Sequence, residues 1–149
     1  MRRLAAFLAL PGGDRILLLE AFVTLAAVRV ALHLTTVDRL RAWAARVRPG
    51  NRSVDRISWA VGVASRRLSG TTCLGSALTL QRLLSTQGHA SELHIGVAKQ
   101  DRVFAAHAWI VCEGRILMGD DEHHDYTRLI AWKSADSSGL PVPAKSDPG

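Results

Sequence analysis

The sequence predicts an α+β fold in which a helical first half leads into a cysteine-bearing helix packed on a small antiparallel sheet. Three observations carry this. Apolar residues recur at helical spacing as far as Gly88, they alternate with a period of two between Ser91 and Cys112, and Glu113-Gly114 then supplies a tight hairpin signal. At 149 residues with 48% hydrophobic content, the chain can bury one adequate core. One domain is therefore expected over residues 1–133, with 1–68 as its helical part and 69–133 as cysteine helix and sheet. The polar, Pro/Gly-rich stretch 134–149 reads as a disordered tail.

The opening MRRLAAFLALPGGDR has a short apolar stretch followed by Pro11-Gly12-Gly13-Asp14, without a small-x-small cleavage site, and reads as a mature N-terminus. Asp14 can cap a helix from about Arg15 to Leu34. The apolar run from Ile16 to Val37 is interrupted by Glu20, Arg29 and His33, so it is expected as a buried helix and not as a membrane span. A second helix, Thr36 to Arg48, places Val37, Leu40, Trp43 and Val47 at steps of three and four, and Pro49-Gly50-Asn51 ends it. Ser53 caps a third from Val54 to Leu68, with Ile57, Ala60, Val61 and Ala64 as the buried stripe. Arg52, Arg56, Arg66 and Arg67 point mainly outward.

Ser69-Gly70 breaks the chain before TTCLGSALTLQRLLSTQG, residues 71–88. Thr71 or Thr72 can cap this helix, Ala77, Leu78, Leu80, Leu83 and Leu84 recur at helical spacing, and Gly88 offers the left-handed stop. Cys73 then falls in the first turn, where unpaired N–H groups and the positive end of the helix dipole stabilise a thiolate. Beyond Gly88, Leu93, Ile95 and Val97 face one side of a strand from about Ser91 to Ala98. A second strand runs from Val103 to Cys112, and a third, RILMG, ends before Asp120. A last short strand or helix falls within residues 121–133.

Two cysteines, 39 positions apart, offer no disulfide framework, and free thiols in a reducing cytosol are expected. On the second strand His107 shares a face with Trp109 and Val111, while Cys112 points the other way, so Cys73 is the better thiol partner for the imidazole. Asp120, the first acid after the third strand, lies across the hairpin from His107 and is the natural orienting carboxylate; one residue of register would substitute Asp121. Cysteine, histidine and acid in this order suit nucleophilic thiol catalysis. The imidazole takes the thiol proton and later protonates the leaving amine, and the carboxylate supports the imidazolium. The backbone N–H of Cys73 is a candidate oxyanion donor, and Trp109 and Trp59 are core or shielding residues. His89 and His94 are expected at the surface. The DDEHHD run, Asp120 to Asp125, lacks metal-ligand spacing, so neither a metal nor a cofactor is expected.

The segments CLGSALTLQRLL, LHIGV and AHAWIVCEGRILMGD together resemble the transglutaminase-like cysteine peptidases that remove leader peptides in lasso-peptide biosynthesis, and in particular the stand-alone peptidase half of the split maturation protein. The resemblance extends from about Trp59 to Leu129; Val111 stands where many relatives carry an acid. It implies a transglutaminase/papain-like core and a triad of Cys73, His107 and Asp120. It also implies hydrolysis of one peptide bond in a ribosomally made precursor, so that an ATP-dependent cyclase can close the macrolactam. The partners it implies are the precursor peptide, a small leader-binding protein that delivers it, and the cyclase.

Two other functions use the same residues: a non-catalytic precursor-binding scaffold, and transglutaminase-type acyl transfer to an amine through the same thioester. Charge is uneven. Residues 1–70 carry 12 Arg against 4 acids, and residues 71–149 carry 7 basic and 9 acidic residues. With no aromatic-basic reading motif, nucleic acid is not an expected partner. The apolar N-terminal helices are left to pack on the domain, on a partner or against a membrane surface.

Overall fold

The computed structural model describes residues 7–100, 103–118, 127–133 and 142–143. Among the described residues, four helices of eight residues or more precede the sheet: α1 (Gly12–Leu34), α2 (Val37–Ala44), α3 (Val54–Arg67) and α4 (Cys73–Ser85). Five strands follow: β1 (Ser91–Gln100), β2 (Val103–Cys112), β3 (Arg115–Met118), β4 (Thr127–Lys133) and β5 (Val142–Pro143). They form one antiparallel sheet in the order β3-β2-β1-β4-β5. The α+β expectation holds; β4 is the last short element expected within residues 121–133, and β5 falls in the stretch read as a disordered tail. Both stand on the far side of β1, where pairing is non-local.

The core lies between the helices and one face of the sheet. Alternation along the strands turns Leu93, Ala108, Ile110 and Cys112 toward the helices, where they join Ile57, Ala60, Val61 and Ala64 of α3 and Ala77, Leu78, Leu80 and Leu84 of α4. Each large aliphatic side chain fully removed from water contributes about 1.5–3 kcal/mol. Polar links fix the layers: Ser58 Oγ donates to the Leu117 carbonyl at 3.2 Å, and the hydroxyls of Ser65 and Ser76 lie 2.9 Å apart between α3 and α4.

Capping follows the sequence at α2 and α3, where the Thr36 and Ser53 side chains accept from Arg39 N and Arg56 N at 3.4 Å each. At α1 it does not. The helix begins at Gly12 after Pro11, and Asp14 lies inside the first turn, only 8% exposed. Its carboxylate accepts from Arg56 Nε at 3.0 Å, 42 residues away. Arg56 therefore reaches back across α1 instead of only into solvent, as does Arg52, which pairs with Glu20. Helix α2 stops at Ala44, short of Arg48, because the chain must turn to meet the end of α4. Arg48 N donates to the Ser85 carbonyl at 2.7 Å, and Gln87 Oε1 accepts from both Asn51 N and Arg52 N at 3.3 Å.

The largest correction concerns α1. Leu17, Leu18, Ala21, Leu25 and Val28 are buried, yet Ile16, Leu19, Val23, Val30 and Leu34 on the opposite face are 53–79% exposed. The helix is long and apolar enough to cross a membrane, but one of its faces supplies part of the core. It is therefore half-buried, with a second apolar face turned outward.

Candidate active site

Cys73 is the first residue of α4, and the residues before it set its position. Gly70 adopts φ +75°, which L side chains rarely take, and the Thr71 hydroxyl donates to the Leu68 carbonyl at 2.7 Å. Thr72 is the cap: its hydroxyl accepts from Gly75 N at 3.1 Å and its carbonyl from Ser76 N at 3.0 Å. The N–H groups of Cys73 and Leu74 have no carbonyl to bond within the helix and stand at its positive end beside the sulfur. From Gly75 to Gln81 every residue of α4 is buried, so the helix that carries the cysteine is held rigidly by the core.

The sulfur is half-buried and lies 4.0 Å from the carbonyl oxygen of Ala106 on β2, a weak S–H donation. The next residue is His107. Helix α4 thus delivers the thiol to the peptide link that precedes the histidine, 33 residues further along the chain. His107 is half-buried and stands opposite Gly96 of β1, which brings no side chain to the facing position. Next to Gly96, the β1–β4 register shifts between Ile95 and Gly96, an irregularity of the kind that re-aims side chains beside functional sites.

The His107 ring belongs to the sheet face of Trp109, as the alternation requires. The two ring centroids are 6.2 Å apart and the planes 21° from parallel. On its other flank Trp109 meets His94, its register partner on β1, at 5.7 Å and 42°. His94 is 5% exposed, with Nε2 3.0 Å from Glu92 Oε2, so the surface placement expected for it is corrected. The reason is the cross-strand register, which sets an indole directly opposite the imidazole. Trp109 itself is 5% exposed but stands apart from the main core cluster, on the histidine face. Trp59 packs on the core, with the Arg56 guanidinium 5.5 Å above its ring. His89 is half-buried and bonds the Arg52 carbonyl at 2.7 Å.

Cys112 is 1% exposed, on the opposite side of β2 from His107, with Sγ 3.4 Å from the Ala90 carbonyl. Burial pushes its thiol above the ordinary range; Glu113 adds to the shift and Arg115 opposes it. It is a structural sulfur. The remaining candidates, Asp120 and Asp121, lie outside the described residues, as does the whole run Asp120 to Asp125. Among the described residues no group of three or more His, Cys, Asp or Glu could hold a metal ion.

Sequence reasoning did not single out Gly96 or the Glu92–His94 pair. Their signal was available only in the register: on β1 the residues 92, 94 and 96 are those that face Val111, Trp109 and His107.

Comparison with known proteins identifies the family. The family model described as "Transglutaminase-like superfamily" matches residues 16–131, which takes in most of α1, the cysteine helix, the histidine strand and most of β4. No curated protein and no solved structure matches the chain. A match over that span shows that the chain belongs to the transglutaminase-like superfamily, whose activity is in general that of cysteine peptidases or acyltransferases.

Proposed function

We propose that the chain is a cysteine peptidase that removes the leader from a ribosomally made lasso-peptide precursor, with Cys73 as nucleophile, His107 as general base and acid, and Asp120 orienting the imidazole. The observation that carries this is the seating of Cys73 at the capped start of a buried helix, 4.0 Å from the carbonyl of the residue before His107. In this reading the imidazole of the next residue takes the thiol proton. The thiolate then attacks the scissile carbonyl carbon, and the oxyanion is stabilised by N–H groups at the helix start. His107 passes the proton to the leaving amine. Water, deprotonated by His107, attacks the thioester, the carboxylate leaves, and the thiol is restored.

In this reading a small leader-binding protein presents the precursor in the cytoplasm, and an ATP-dependent cyclase consumes the freed core peptide to close the macrolactam. The three sequence segments that resemble the lasso-peptide leader peptidases support the substrate class; membership of the superfamily supports the thiol chemistry. The test is mass spectrometry of a lasso-peptide precursor incubated with its leader-binding protein and either wild type or Cys73→Ala. The expected result is a shortened precursor with wild type alone, while Cys73→Ala still binds it. Cleavage by Cys73→Ala rejects the reading. A cross-linked product would assign acyl transfer to an amine, and binding without any product would assign a scaffold.

A further inference from the structure

We propose that the outward face of α1 seats the protein on an anionic phospholipid surface. The proposal is independent of the thiol chemistry and starts from an apolar face that the fold leaves uncovered. Ile16, Leu19, Val23, Val30 and Leu34 are 53%, 54%, 68%, 57% and 79% exposed and recur at helical spacing along one stripe. At 1.5 Å per residue the stripe is about 27 Å long. Leu8 before it, and Val37 and Val47 beyond it, are also exposed. The flanking carboxylate, Glu20, is neutralised by Arg52.

Positive charge adjoins this stripe. A cleft of about 620 Å³ opens beside Ile16, Leu19 and Val23, and its other wall includes Trp43, Leu83 and Arg82. The guanidinium of Arg82 stacks 4.5 Å above the Trp43 ring. Its pKa is lowered by burial and then by the neighbouring charges of Arg48 and Arg46. Among the described residues no carboxylate pairs with Arg46, Arg48 or Arg82. Arg82, which also donates to the Trp43 carbonyl at 3.0 Å, and the neighbouring Arg46 and Arg48 put positive charge beside an aliphatic stripe. Phosphodiester headgroups above an acyl layer supply both halves of that match.

Other occupants fit less well. The exposed residues of the stripe are all Ile, Leu or Val, and the adjoining Trp43 and Arg82 are engaged with each other, so the face offers little by which to select one polypeptide. A second copy would bring the same basic half, net +8 over residues 1–70, against itself. Insertion of α1 across the bilayer would withdraw Leu17, Leu18, Ala21, Leu25 and Val28 from the core. Lying on the surface keeps that face packed and buries the other.

The experiment is sedimentation of the full chain with vesicles of phosphatidylcholine alone and of equal phosphatidylcholine and phosphatidylglycerol, at low and high salt. Wild type should partition onto the anionic vesicles at low salt, about tenfold or more above its partition onto the neutral ones. Val23→Glu with Val30→Glu should lower that binding about tenfold, as should Arg46→Gln with Arg48→Gln, while thermal unfolding shows each variant still folded. Absence of binding to anionic vesicles overturns the proposal. So does binding that the glutamates leave unchanged, which would be the attraction of any basic protein. A wild-type dimer that the glutamates convert to monomer would assign the face to a second copy. Loss of complex formation with the leader-binding protein, at undiminished vesicle binding, would assign it to a protein partner.

Discussion

Cys73 Sγ lies 4.0 Å from the carbonyl oxygen of Ala106, whereas the only other cysteine is buried on the far side of the sheet from His107. The two thiols therefore differ in accessibility, Cys73 being half-buried and Cys112 1% exposed. Alkylation at neutral pH should modify Cys73 at least about tenfold faster than Cys112, because reaction requires an accessible thiolate. His107→Ala should slow the fast phase and leave the slow one alone. Peptide mapping after timed iodoacetamide treatment measures both, and equal rates would contradict the proposed nucleophile.

The Thr72 hydroxyl, accepting from Gly75 N at 3.1 Å, holds the turn that carries Cys73. Thr72→Ala should cost about 1 kcal/mol of stability, with Thr72→Ser close to neutral. If the cap also holds the thiol in place, Thr72→Ala should slow Cys73 alkylation more than the stability loss accounts for, and Thr72→Ser should restore it. Denaturant unfolding beside the alkylation rate separates the two effects; a normal alkylation rate in Thr72→Ala would confine the cap to stability.

Local chemistry was legible in the sequence wherever one segment decides its own form. Thr36, Ser53 and Thr72 cap as their side chains allow, and Glu113 and Gly114 take φ 52° and 74°, the paired positive values of a tight hairpin. The alternation that separates His107 from Cys112 held because β2 pairs without a slip along the whole of β1. What sequence could not show depends on distant partners. Asp14 reads as a cap until Arg56, 42 residues on, takes its carboxylate. His94 reads as a surface histidine until register sets it against Trp109. For α1, both sides of the helix are apolar, so no periodicity could say which would be covered.

Two glycines should respond to alanine in opposite directions. A Cβ on Gly50 would lie 2.5 Å from Gln87 Cα and 3.0 Å from its carbonyl carbon, so backbone must move where the α2–α3 link crosses the end of α4. Gly50→Ala should destabilise the fold by about 1–3 kcal/mol. Gly62 is in mid-α3, where a Cβ would meet only the flexible end of Arg66 at 3.3 Å. Gly62→Ala should stabilise by about 0.5–1 kcal/mol through the entropy it removes from the unfolded chain. Chemical denaturation of the two variants checks the pair, and a shared sign would show that one of these contacts is wrongly understood.

Burial of Cys112 couples stability to alkaline pH. Its thiol is held above its ordinary value of 9.0 in the folded protein, chiefly by desolvation, so the native state keeps the proton more tightly than the unfolded chain does. The stability that comes from keeping the thiol neutral is fully present below the unfolded pKa. It is lost as pH rises from there through the folded value, because only the unfolded chain can release the proton easily. Wild type should therefore lose stability more steeply than Cys112→Ala between about pH 8 and pH 10. Thermal melts of the two proteins across that range measure the difference in slope. The alanine variant starts lower at neutral pH because it leaves a small void beside Ile110, so the two curves should converge on the alkaline side. Parallel curves would mean that the sulfur reaches water in the native state, contrary to its 1% exposure.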